Sequence, residues 1–339
     1  MDRTLAVWHE RALEVKAALS RVILGQESVI EHLLTAVFAR GHVLLEGGVG
    51  VGKTTLLRAL AKALGGAYER IEGTVDLLPS DLIYHTYLDE QGRPRVEPGP
   101  LLAQGEDLSV FFFNEINRAR PQVHALLLRA MAERQVRAFQ RDFRLPYLLV
   151  FADRNRIERE ETFELPAAAR DRFFMEIRMN APEALEVREA LAFDPRFYDP
   201  DRLLAEIKSG LLDFRQLELI AYQIQERIAA SPALRRYVLD LWQASEQPAR
   251  FGVTVEDLGE QNLVLAGASP RGIAALVRAA RVRAFLAGRE AVMPEDVQAV
   301  FPEVMRHRVF LQPVFEAERE LWLPKLLAAI LQRVSTPRR

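Results

Sequence analysis

The chain has 339 residues, 49% hydrophobic and 27% charged, proportions that suit a soluble globular protein of about two domains. A formal net charge of −2 excludes a global bias towards nucleic acid or anionic membranes, leaving only local basic patches. With no cysteine there is no disulfide framework, zinc-thiolate site or thiol nucleophile.

The opening stretch MDRTLAVWHERALEVKAALS carries charges throughout at helical spacing, without the basic start or apolar core of a signal peptide. No apolar run approaches the roughly 20 residues needed to span a bilayer. These features predict a cytoplasmic protein with no membrane span. From there to about residue 180 helical and strand patterns alternate, as in an α/β domain with a mostly parallel sheet. In SVIEHLLTAVFARG (28–41), Ser28 and Glu31 have the spacing of a capping box and Gly41 stands at the helix exit. HVLLEG (42–47) reads as a buried strand. TTLLRALAKALGG (54–66) reads as a helix with Leu56, Leu57, Leu60 and Leu64 on one face and Gly65 at its end.

Further buried strands are expected at 109–113, 147–152 and 174–178, with inserted hairpins near 83–99 and 134–146. Beyond about residue 182 helical periodicity dominates. The division is expected within the proline-bearing stretch that follows, giving an α/β domain over 1–190 and a helical domain over 191–339.

GGVGVGKT matches G-x-x-x-x-G-K-[ST], a P-loop, and runs from Gly47 through Gly48, Val49, Gly50, Val51 and Gly52 to Lys53 and Thr54, with Thr55 next. Its glycines let backbone N–H groups point at phosphate oxygens, and the following helix adds its positive end. Lys53 can reach the β- and γ-phosphates of ATP, and the Thr54 hydroxyl is placed to ligate Mg2+. The bland alternative is a glycine-rich turn with a solvated lysine, but the apolar strand before it and the amphipathic helix after it favour a phosphate site.

The strand SVFFFNEINRARP (109–121) ends where such a fold carries its acids. Glu115 is placed to polarise a water against the γ-phosphate. The neighbouring metal-facing position is Asn114, whose carbonyl can accept from a metal-bound water without supplying a charge. Charged hydrogen bonds are roughly twice as strong as neutral ones, so the expected loss is about 1–2 kcal/mol, or about tenfold in turnover.

At these residues the chain resembles the MoxR family of AAA+ ATPases. The resemblance covers about residues 20–310 through ILGQESVIEHLLTAVFARGHVLLEGGVGVGKT, NEINRARPQVHALLLRAMAERQV, VFADRNRIE, ELPAAARDRFFMEI and ASPRGIAALVRAAR in the family's order. It implies an α/β fold, an AAA+ P-loop αβα nucleotide-binding domain followed by an all-α lid domain, usually assembled as a homo-oligomeric, hexameric ring. It implies Asn155 as the sensor-1 residue positioning the attacking water, Arg172 as the finger reaching a neighbouring subunit's nucleotide, and Arg271 as the sensor-2 arginine on the γ-phosphate. Ile23, Gly25 and Gln26 match the segment lining the adenine pocket. Read as ordinary residues, Asn155 caps a turn and Arg172 pairs with Asp171 or Glu176; Arg271 sits just inside a helix that Ser269 caps and Pro270 starts, where a cation opposes the helix dipole, which favours an anion nearby. The chain departs from the family pattern at Asn114, at Val49 in place of a proline, in ADRNR in place of A-T-Q-N-P, and in LPAAARDRF in place of L-P-E-A-Q-L-D-R-F.

The reading that results is an ATP- and Mg2+-dependent AAA+ ATPase acting slowly on a protein client, with a von Willebrand factor A domain protein as the partner the family implies. The alternative is a nucleotide-held switch in which Asn114 attenuates cleavage. A DNA-directed motor would need Arg278, Arg281 and Arg283, or Arg137, Arg141 and Arg144, as a phosphate track; nucleic acid is the least favoured partner at this net charge. The histidines His9, His32, His42, His85, His124 and His307 show no ligand-pair spacing.

Overall fold

The computed structural model describes residues 2–154, 163–255 and 262–337. They form two compact units, one of Glu10–Arg172 and Ile177–Glu218, the other of the residues up to His9, Phe173–Glu176 and the chain from Leu219 onwards.

The first unit takes in α1 (Arg3–Val22) from Glu10 onwards and α2 (Glu27–Phe38) and enters the buried strand β1 (Val43–Glu46). The helix α2 starts at Glu27, one residue ahead of the expected Ser28 cap. Gly25 turns the chain with φ +67°, and Gln26 at the N-cap donates its side-chain amide to Asn180 O at 2.6 Å instead of capping. At the other end Arg40, not Gly41, takes the left-handed position (φ 54°). Its guanidinium is held by Pro146 O and Tyr147 O, and burial lowers its pKa to about 10. The side chain thus fixes a conformation for which glycine would otherwise be favoured.

After α3 (Lys53–Leu64), Gly65 ends the helix at φ 76° and opens β2 (Ala67–Glu72). The sequence pattern misses β2. It is an edge strand, half-exposed and charge-bearing, with none of the apolar run that marks a central strand. The hairpin β3 (Tyr84–Leu88) and β4 (Pro94–Pro98) precedes the core strand β5 (Leu108–Asn114). Then come α4 (Pro121–Glu133), the hairpin β6 (Gln135–Ala138) and β7 (Arg141–Arg144), and the core strand β8 (Leu149–Arg154). The short α5 (Ala167–Arg170) leads to β9 (Met175–Arg178), then α6 (Leu185–Phe193) and α7 (Pro200–Ala205).

The main sheet has the order β2-β5-β8-β1-β9, and its described pairings β2·β5, β5·β8 and β8·β1 are parallel. Its centre is aromatic and dry: Phe111, Phe112, Phe113 and Phe151 are fully buried, with Phe112 paired to Phe151 across β5 and β8. In such open sheets ligands bind outside the carboxyl ends of the strands, and β1, β5 and β8 end there together.

The segment after β9 is tied back to α3. Lys62 donates to Leu204 O at 2.6 Å, and the N–H groups of Gly210 and Leu212 reach Lys62 O and Ala63 O, each at 3.0 Å.

The second unit is mostly helical: α8 (Leu217–Arg227), α9 (Pro232–Glu246), α10 (Pro270–Leu286), α11 (Pro294–Met305), α12 (Pro313–Glu316) and α13 (Arg319–Arg333). The only sheet described in it pairs β10 (Val264–Ala266) with β11 (Phe310–Leu311). Among the described residues no helix is long and apolar enough to cross a membrane.

Truncating the central aromatic, Phe151→Ala, is expected to destabilise the α/β unit by about 3–5 kcal/mol. Urea unfolding followed by circular dichroism against the wild type checks this.

Candidate nucleotide site

The loop between β1 and α3 is built for close approach of an anion. Gly50 and Gly52 stand at φ 78° and 93°, where a side chain is strained, and Gly52 is the N-cap of α3 without a side-chain cap. The first-turn N–H groups of α3 are thus left to an external acceptor. Gly47 is needed for a different reason. Met179 N donates to Glu46 O at 2.8 Å, which draws the chain beyond β9 against the loop, so a Cβ on Gly47 would stand 2.2 Å from Met179 O. Cβ atoms on Gly48 and Gly50 would meet no atom within 4 Å, so the face of the loop is open there. This cradle, with an ammonium group at its mouth, fits a nucleotide phosphate.

That ammonium group belongs to Lys53. Its Nζ donates to Gly47 O at 2.8 Å and lies 2.6 Å from Asp153 Oδ2. Asp153 is 1% exposed, near the end of β8. Its other oxygen, Oδ1, accepts the backbone N–H of Glu115. Burial pushes the Asp153 carboxyl above its ordinary value, and Lys53 and the Glu115 N–H act against that rise.

Glu115 stands where β5 ends, in the left-handed region at φ 53°, ψ 50°, a conformation costing a non-glycine residue about 1–2 kcal/mol. The Asp153 acceptor stabilises it, as does His124 from α4, whose Nε2 meets Ile116 O at 2.6 Å. The Glu115 carboxylate lies 3.0 Å from Arg118 Nη1. Asn114, one residue before, donates its side-chain amide to Glu72 at the end of β2, and its backbone O accepts from Gly73 N at 2.7 Å. Strand register explains these neighbours: Glu72 is paired with Asn114, and Asp153 follows the Phe113–Ala152 pair by one residue. Glu46, closing β1, is buried between Arg154 at 2.9 Å and Arg178 at 3.3 Å.

Beside the loop lies a cleft of about 550 Å³, within the usual range of about 300–1,000 Å³ for ligand pockets. Ile23, Gln26, Val49, Gly50, Val51, Gly52 and Thr55 line it. Gly25 does not line it; a Cβ there would stand 3.0 Å from Pro182 Cβ, so it packs the wall from behind. The opposite side comes from Pro182, Arg188, Phe197 and Leu203, which sequence reasoning did not find. Thr54 is half-buried in the first turn of α3.

Comparison with known proteins agrees with this geometry. The family described as "ATPase family associated with various cellular activities (AAA)" matches residues 42–175, and "AAA lid domain" matches 259–323. Protein MoxR of Methylorubrum extorquens is 60% identical over 99% of this chain and 98% of its own length. The chain belongs to the MoxR family of AAA+ ATPases.

Protein MoxR of Paracoccus denitrificans is 58% identical over 99% of both chains, and Chaperone MoxR1 of Mycobacterium tuberculosis is 35% identical over 97% of this chain and 82% of its own. A crystal structure of a candidate ATPase from Cytophaga hutchinsonii superposes with a TM-score of 0.82 at 29% identity, covering 98% of this chain and 97% of that one.

Of the residues implied by likeness to the MoxR family, Asn155 lies outside the described residues. Arg172 is exposed and donates to Leu128 O at 2.9 Å, within its own unit. Arg271 is exposed in the first turn of α10, in the second unit, where Ser269 caps the helix. Asp153 was missed although ADRNR stood out as unlike A-T-Q-N-P; its spacing in sequence from Lys53 and Glu115 hides a contact made across strands.

Gly47→Ala is expected to weaken ATP binding by at least about tenfold, or ~1.4 kcal/mol, because the new methyl group and Met179 O cannot share the space. Calorimetric titration with ATP against wild type checks it.

Proposed function

We propose that this chain binds ATP with Mg2+ at the P-loop, hydrolyses it slowly, and uses the cycle to remodel or mature a protein client. The observation that carries the reading is Lys53 at the mouth of an open glycine cradle, with Glu115 held at the adjoining strand end by Asp153. Lys53 binds the β- and γ-phosphates, the α3 N–H groups orient them, and Ile23 and Gln26 wall the adenine pocket. Thr54 and Asn114 are the residues that would hold the metal, which would supply neutralising charge at the phosphates. Glu115 accepts the proton of the attacking water once its carboxylate leaves Arg118. Asn155 positions that water, Arg172 serves a neighbouring subunit, and Arg271 senses the γ-phosphate from the lid.

Partners follow from the family. A homo-oligomeric ring, a hexamer, gives Arg172 its target. A relative bearing the name Chaperone MoxR1 supports a protein client, and a von Willebrand factor A domain protein is the partner we expect in the cytoplasm. A DNA track receives no support from α10. Arg278 lies over the Phe174 ring at 5.2 Å and Arg281 donates to Gln225 O at 2.5 Å, so both are engaged within their own unit.

The pairing of Glu115 with Arg118 favours a second reading, in which the base is restrained and ATP is held as a switch. Steady-state hydrolysis of wild type and Glu115→Gln separates the two. The motor reading expects a slow wild-type rate that falls at least about a hundredfold in the variant, the usual scale of a positioned general base. Equal rates with ATP still bound would establish the switch. Mass measurement with and without ATP is expected to show nucleotide-dependent assembly.

A further inference from the structure

Asn114 leaves the metal-facing end of β5 without a charge, yet a buried carboxylate stands one strand away. Among the described residues the Asp153 carboxylate has two partners, the Lys53 ammonium at 2.6 Å and the Glu115 N–H. Lys53 is also the side chain that phosphates recruit. When its charge is drawn towards them, Asp153 at 1% exposure loses much of its compensation, and an unpaired buried charge is strongly destabilising. A neutral amide at this place would have no such need. The burial that makes the carboxylate costly also keeps it directed at the loop, in a medium where a cation partner counts for most. Asn114 is itself turned to Glu72, to which it donates.

We infer that Asp153, on β8, supplies the metal-facing carboxylate that Asn114, on β5, lacks, pairing with Lys53 before nucleotide binds and with the magnesium hydration shell afterwards. This rests on the reading of the P-loop as a Mg·ATP site. The charge has moved one strand across the sheet, and the expected tenfold deficit from Asn114 is thereby offset. The placement also links metal to base, since the same carboxylate accepts the Glu115 N–H.

The test is the affinity of the full chain for a non-hydrolysable ATP analogue, measured by calorimetry in EDTA and in magnesium. The proteins are wild type, Asn114→Asp, Asp153→Asn and the double variant, with melting temperatures recorded for each. Wild type is expected to bind at least about tenfold more tightly in magnesium than in EDTA, and Asp153→Asn to lose most of that gain, read as the ratio of its own affinities in the two conditions. Asn114→Asp in the Asp153→Asn background restores the magnesium gain, which also shows that the variant folds. Asn114→Asp alone adds little.

Equal weakening of Asp153→Asn in EDTA and magnesium would overturn the inference and leave Asp153 as a residue that positions Lys53. A magnesium gain fully retained in Asp153→Asn would overturn it too, as would a double variant that folds without recovering the gain. If wild type binds the analogue in neither condition, it is the nucleotide-site reading itself that fails.

Discussion

The buried ion pair between Lys53 and Asp153 is the interaction on which the site depends. It joins the P-loop helix to the end of β8, and through the Glu115 N–H it reaches the end of β5. Three separate segments are fixed by one carboxylate in a medium where a lost partner is expensive. The left-handed backbone of Glu115 is tolerable because that acceptor and His124 hold it. The site is therefore preorganised from beneath by the sheet, and its upper face is left open for an anion.

Sheet order makes this arrangement possible. Placing β1 beside β8, and β8 beside β5, brings residues far apart in sequence into one row at the carboxyl ends. The aromatic layer of Phe111, Phe112, Phe113 and Phe151 keeps those strands in register, since a slip of one residue would send every side chain to the opposite face. Stability of the core and geometry of the site are thus the same requirement. The cleft beside the loop adds a second wall from Pro182, Phe197 and Leu203, in a segment that Lys62 and the backbone of α3 hold in place.

Much of this is legible in the sequence because it depends on local pattern. The P-loop, the apolar run of β5 and the leucine face of α3 each declare themselves within a dozen residues. The helix start at Glu27 and the exit at Arg40 do not. In the first case Gln26 spends its side chain on Asn180 O, and in the second a distant pair of carbonyls holds an arginine in a glycine conformation. The edge strand β2 hides because half-exposed strands carry charges. Asn114 is visible at once as an odd letter, whereas its consequence is not. Reading Asn114 as a simple loss assumes that no other strand can bring a carboxylate, and register between β5 and β8 is a property of the folded sheet. Val49, where the family has proline, is exposed, and nothing in the structure explains the change.

The most direct test of the account is a crystal structure with a non-hydrolysable ATP analogue and Mn2+, in which anomalous scattering locates the metal. The account predicts Lys53 on the phosphates and the Asp153 carboxylate hydrogen-bonded into the hydration shell of the metal. A metal shell built on Asn114 and Glu72, with Lys53 still paired to Asp153, would contradict it.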